Sequence, residues 1–267
     1  MSKPSPEKAA KAALLTALRR SRRLASEAIV SELVIDKWAN RADLVTVGDE
    51  LVGYEIKTRT DKLVRLLGQL ESYSQTFERV YVVAATRHMN AILSTIPAHV
   101  GIKEIVDFGA GCEVRDVKPA GLSPALSAFN SLQLLPAIEI KRLLTLAGKR
   151  PSNRTRCNLV DQAEKLPLMV IRKFLASYLK TRYGRTSQSF MTDVRGRRIC
   201  ANDLQTLRLW NDEKDNRNHI SPAVVIDDWS QSTVYEGGMG AIPPDIRQKF
   251  AQSSHASSVF SPPSVEA

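Results

Sequence analysis

The chain has 267 residues, 43% of them hydrophobic, with 38 Lys+Arg against 28 Asp+Glu, a formal net charge of +10 and a pI near 9.6. This length and apolar content support one or two packed domains and exclude a disordered chain, while the basic surplus favours a polyanionic partner, because neutralising phosphates releases condensed counterions. Cys112, Cys157 and Cys200 stand far apart, which argues against a disulfide framework and a cysteine-rich zinc site, and with no apolar run of signal-peptide or membrane-span length the expectation is a cytoplasmic protein with no membrane partner.

In chain order, residues 1–23 read as a basic helical lead-in ending in Arg19, Arg20, Arg22 and Arg23. From Leu24 to Trp38, Ile29, Val30, Leu33 and Val34 fall at helical spacing, which predicts a helix. Residues 42–47 and 51–57 are rich in β-branched and aromatic side chains and are joined by Gly48-Asp49-Glu50, a hairpin signal. A helix over 61–77 follows, with Leu63, Leu66, Leu67, Leu70, Ser74 and Phe77 on one face. Then come a buried-type strand over 79–85, a short helix over 88–96, and strands over 102–108 and 112–117. Residues 24–118 are thus expected to form an α/β core, a mixed sheet flanked by helices.

Pro119 to Pro124 reads as a linker, followed by a basic helical module over 125–185. Its predicted helices are 125–148, 154–166 and 167–183, with Gly148 and Gly184 as C-caps and Pro167 at a helix start. Residues 186–251 are mixed, and 252–267 are Ser/Pro-rich and expected to be a disordered tail.

The hairpin carries the chemistry. Side chains alternate along a strand, so Glu55 and Lys57 share a face that Tyr54 and Ile56 do not. Folding at Gly48-Asp49 brings Asp43, eleven residues before Glu55, beside the Glu55–Lys57 end. Both acids interrupt apolar strands, where an unpaired charge is costly and a bound cation or a cross-strand ion cluster would remove that cost. Mg²⁺ (or Mn²⁺) needs only one or two protein carboxylates, and a lysine can offset charge in a phosphodiester transition state.

Ala42-Asp43, eleven residues, then Glu55-Ile56-Lys57 resembles the motif of the PD-(D/E)XK, or restriction-endonuclease-like, nuclease superfamily, with Ala42 at the proline position. Gln69 and Tyr73, a Gln-x-x-x-Tyr pair on the following helix, resemble the RecB-like branch, as does the run from Gly53 through Lys57 to Gln69-Leu70-Glu71-Ser72-Tyr73-Ser74. The resemblance implies a restriction-endonuclease-like core that hydrolyses phosphodiester bonds, most readily in DNA. It implies a metal held by Asp43, Glu55 and the Ile56 carbonyl, with Lys57 orienting water or stabilising charge and Gln69 and Tyr73 supporting the site. An acid on the preceding helix often adds to such sites; Glu32 stands in the matching place, with Glu27 as the alternative.

From Lys141 to Arg185 there are twelve Lys/Arg against two acids, Asp161 and Glu164, a surplus equal to that of the whole chain. This concentration suits contact with a phosphate backbone, and Lys149, Arg150, Arg154 and Arg156 are the candidate nucleic-acid contacts. The same helices also suit a protein partner. Two functions therefore stand side by side: a metal-dependent nuclease, and a nuclease-fold subunit without chemistry that binds DNA or protein.

Overall fold

The helix-like stretch after the basic lead-in is a strand. In a computed structural model, which describes residues 5–207 apart from 22–23, 25–26, 36–39, 108–110 and 153–154, Ala28–Ile35 forms β1. Four of its eight residues are β-branched, which favours a pleated strand. Most of it is buried on both faces, so no polar alternation marks it, and a continuous apolar run fits either period until pairing decides. Most of the mixed segment, the whole expected tail, and Arg22, Arg23 and Arg154 lie outside the described residues.

The helix that precedes the strands is instead the lead-in, α1 (Pro6–Arg20). Ser5 caps it by accepting from the Lys8 N–H, Pro6 opens it, and Glu7 and Arg19–Arg20 sit at the ends of the helix dipole that favour their charges. After β1 come β2 (Asn40–Val47), β3 (Leu51–Lys57), α2 (Leu66–Thr76), β4 (Arg79–Ala85), α3 (Met89–Thr95), β5 (Gly101–Asp107) and β6 (Cys112–Lys118). The sheet order is β1-β2-β3-β4-β5-β6. The first three strands form an antiparallel meander, β3, β4 and β5 run parallel, and β6 returns antiparallel. The fold is α/β with a six-stranded mixed sheet.

Beyond β6 lie α4 (Ala128–Gln133), α5 (Ala137–Leu146), α6 (Arg156–Ala163) and α7 (Leu168–Asp193). The single helix expected over 125–148 is two, because Pro136 has no amide proton to continue α4 and becomes the N-cap of α5. Gly148 ends the second in the left-handed region, as predicted, at φ 69°. Gly184 ends nothing: α7 runs through it, at a cost of about 1 kcal/mol relative to alanine. Two residues beyond the glycine hold the extension. Phe190 is fully buried, and the Ser187 hydroxyl receives the Ile29 N–H of β1 at 2.8 Å.

These helices do not stand apart from the sheet. Leu132, Ile140, Leu143, Val160 and Phe174 share one continuous core with Val45, Leu70, Tyr73 and Val82. Arg172, buried, donates to the Glu78 carboxylate, the Thr76 carbonyl and the Ser131 hydroxyl, and Glu78 receives the Leu51 N–H at 2.8 Å. The opposite sheet face packs Tyr54, Ile56, Tyr81 and Val83 against Leu14, Leu15 and Leu18 of α1, with Phe190 joining them. α7 therefore serves both layers, its first half one core and its end the other.

Candidate active site

The site forms where β2 leaves β3. Their ladder runs from Val47–Leu51 to Leu44–Tyr54 and stops. The next residue, Asp43, continues it by its side chain, with Oδ2 accepting the Ile56 N–H at 2.7 Å. On its other side the β1–β2 register steps from Ser31–Leu44 to Leu33–Ala42, leaving Glu32 and Asp43 opposite each other. Glu32 has φ 62°, the left-handed region, and no other non-glycine residue among those described does. At this point the alternation of side chains changes phase: Val30 and Leu33 enter the same core, as do Ala42 and Val45. Two facing acids are thereby lifted out of the pleat together, and such strain persists only where its surroundings hold it.

Glu55 and Lys57 lie on the α2 face of β3, while Tyr54 and Ile56 fill the α1 face. Gln69 and Tyr73, one turn apart on α2, reach down to them. Lys57 Nζ donates to Glu55 Oε1 at 2.6 Å and to Gln69 Oε1 at 2.8 Å. The Tyr73 hydroxyl donates to Glu55 Oε2 at 2.5 Å and receives the Asp43 N–H at 3.3 Å. Burial, then the charges of Glu55 and Asp43, push the Tyr73 phenol well above its usual range, so it keeps the proton it donates. Gly53 sets the depth of α2: a Cβ there would stand 2.4 Å from the Phe77 ring.

A second group of acids meets Asp43 from the α1 side. Glu7, Glu32 and Asp43 each offer a carboxylate oxygen within 4.8 Å of the others. Lys11, one turn after Glu7 and only 3% exposed, donates to Glu32, Ser31 and Glu7, and Arg41 Nε pairs with Glu32 at 2.7 Å. Asp43 is raised from 3.8 to about 7, chiefly by burial and next by Glu55, against the lowering effects of the Ile56 N–H and Lys11. These three carboxylates offer hard oxygen donors that could hold a metal ion, and a cation there would offset the disfavoured charge of Asp43. Glu55 is outside that group of three, and Lys57 and Tyr73 engage its two oxygens.

Of the residues singled out in the sequence, Asp43, Glu55, Lys57, Gln69 and Tyr73 come together in one hydrogen-bonded network. Ile56 joins through its amide. Glu32 is at the site but arrives on a strand, not on a helix. Glu27 is at the other end of β1, its carboxylate beside Gly48. Sequence reasoning missed Glu7 and Lys11; their i,i+4 spacing behind a Ser-Pro helix start was the available signal. Among the basic candidates, Lys149 and Arg150 are exposed just after α5, and Arg154 is outside the described residues. Arg156 is half-buried, and its guanidinium donates to Gln133 Oε1 and to the carbonyls of Leu132, Gln133 and Leu135, closing the end of α4. No helix among the described residues is long and apolar enough to cross a membrane.

The family model described as Bacteriophage P4 protein cII matches residues 1–208, a span that takes in every described residue. Protein cII of Enterobacteria phage P4 is 31% identical over 203 residues, covering 75% of this chain and 77% of the relative. No solved structure matches. The chain belongs to the bacteriophage P4 protein cII family.

Proposed function

We propose that this chain is a divalent-metal-dependent nuclease with a PD-(D/E)XK-type site of the RecB-like branch, acting on DNA. One observation carries the reading. Asp43, Glu55, Lys57, Gln69 and Tyr73, the residues of the motif in the sequence, form a single hydrogen-bonded network, buried at Glu55, Lys57 and Tyr73, at the point where two strands part. Helix α1, the three-stranded meander and helix α2 supply every member of it and of the adjoining acid group.

Asp43, with Glu32 and Glu7, would hold the cation, and Glu55 would join them by giving up a hydrogen bond from its own chain. When bound, such a cation supplies Lewis-acid polarisation of the scissile phosphate and offsets its charge. The chain's own residues do the remainder. Lys57 presents an ammonium, held in place by Gln69, where negative charge develops. Tyr73 fixes one oxygen of Glu55 and leaves the other to Lys57. Exposed Arg59, Lys62 and Arg65, on the loop that leaves Lys57, line the approach for a phosphate backbone.

A second reading has its own observation. Lys11, Arg41 and Lys57 already pair with the acids, so the cluster is nearly balanced without a metal and suits a nuclease-fold subunit that binds nucleic acid without cutting it. Incubating the purified chain with labelled linear, circular, single-stranded and branched substrates separates the two. Cleavage that needs Mg²⁺ or Mn²⁺ and falls about 100-fold or more in Glu55→Gln and Lys57→Ala supports the nuclease. Metal-independent binding with no cleavage of any substrate supports the second reading.

A further inference from the structure

A groove of about 760 Å³ opens between the β1 edge and α7, a volume within the roughly 300–1,000 Å³ of small-ligand sites. Glu32 and Arg41 are among its lining residues, so it adjoins the acid group around Asp43. Arg156, Arg182, Tyr178 and Tyr183 line it as well. The Arg182 guanidinium lies 6.0 Å from the Tyr178 ring centre and 5.7 Å from that of Tyr183, and Nη1 donates to the Tyr178 hydroxyl at 2.8 Å. The hydrogen bonds of Arg156 go to neutral acceptors. Three guanidinium groups thus face one space with Glu32 as the acid among its described lining residues, and Glu32 is itself paired with Lys11 and Arg41.

We propose that this groove is a track for a short single-stranded nucleic-acid segment, whose bases stack on the Tyr183–Arg182 wall while its phosphates run past Arg41 toward Asp43. The inference deepens the nuclease reading and rests on it for the direction the strand takes. The chemistry selects the ligand. Guanidinium groups bind phosphate through paired N–H donors, and aromatic rings in a basic groove accept the face of any base. Bases inside a duplex are already stacked on each other and cannot lie on a protein ring. An acidic polypeptide would satisfy the charges but offers no extended planar face to stack on the half-buried Tyr183–Arg182 wall.

The test is fluorescence anisotropy of a labelled 12-nucleotide single strand and of a labelled hairpin duplex, with the full chain in EDTA so that cleavage cannot intervene. Tyr183→Leu, which keeps apolar bulk, is expected to weaken the single strand about tenfold, the loss of one stacked base, and the duplex less than about twofold. Tyr183→Phe, which keeps the ring, restores the affinity. Arg182→Gln makes the salt dependence for the single strand shallower by about 0.7 in log–log slope. Equal loss for single strand and duplex, or no change in Tyr183→Leu, overturns the proposal. So does displacement of a labelled poly-glutamate, but not of the oligonucleotide, by changes at Tyr183 and Arg182. Tyr183-dependent single-strand binding by a chain that cleaves nothing with Mg²⁺ or Mn²⁺ upholds the groove and removes the nuclease reading alone.

Discussion

The Tyr73 hydroxyl stands between the two acids of the hairpin, donating to Glu55 Oε2 at 2.5 Å and receiving the Asp43 amide at 3.3 Å. It bridges β2 and β3 where they part, and α2 positions it from the buried core. Replacing it by phenylalanine leaves the ring's packing on Phe77 and removes these two hydrogen bonds together with the contact to the Arg41 carbonyl. Tyr73→Phe is therefore expected to cost about 1–2 kcal/mol in unfolding free energy and to lower metal-dependent cleavage by about 10–100-fold. Denaturant unfolding and single-turnover rates check the pair, and unchanged rates would remove Tyr73 from the site.

Asp43 gives the clearest dependence on pH. Its carboxyl is raised from 3.8 to about 7, so between these values the folded chain holds a proton that the unfolded chain has released. Stability contributed by this group is thus greatest below pH 4 and declines as pH rises to about 7, beyond which it is constant. Asp43→Asn should flatten that slope and stabilise the metal-free chain above pH 7 by roughly 1–3 kcal/mol. Melting curves from about pH 4.5 to 8 in EDTA measure it; a parallel pair of curves for parent and variant would refute the assignment.

Glu7 and Glu27 test which acid beyond β2 and β3 belongs to the site. Glu7→Gln should weaken Mg²⁺ binding about tenfold, since it removes one of three carboxylates at one point. Glu27→Gln, at the turn end of β1, should leave it within about twofold. Calorimetric titration with Mg²⁺ distinguishes them, and the reverse order would move the cation site to the far end of the strand.

The basic candidates are expected to separate into contact and structure. Lys149→Gln with Arg150→Gln should leave the melting temperature unchanged and make the salt slope for a duplex shallower by up to about 0.9 for each lost phosphate contact. Arg156→Gln should instead destabilise the chain by about 1–3 kcal/mol, because four acceptors at the end of α4 lose their donor. An unchanged salt slope in the double variant would identify the Lys149–Arg150 loop as no nucleic-acid contact.

The sequence by itself determined the local features of this protein: strands over 79–85 and the 42–57 hairpin, the α2 face bearing Gln69 and Tyr73, the left-handed Gly148, and the set Asp43, Glu55, Lys57. Each depends on alternation, helical spacing or turn chemistry acting within a few residues, and such forces are written in neighbouring letters. Only the tertiary structure decided what depends on distant partners. Residues 28–35 carry a pattern that fits helix or strand, and pairing with β2 made them a strand. Gly184 carries a helix-ending signal that the packing of Ser187 and Phe190 overrode. Glu7 and Lys11 look like an ordinary surface ion pair until α1 crosses the sheet and sets them against Glu32 and Asp43. Arg156 reads as a surface cation until the carbonyls at the end of α4 give its guanidinium a structural role as well. Burial and hydrogen bonding across long sequence separations outweigh local preferences of about 1 kcal/mol, so those residues acquired their roles only when the layers packed.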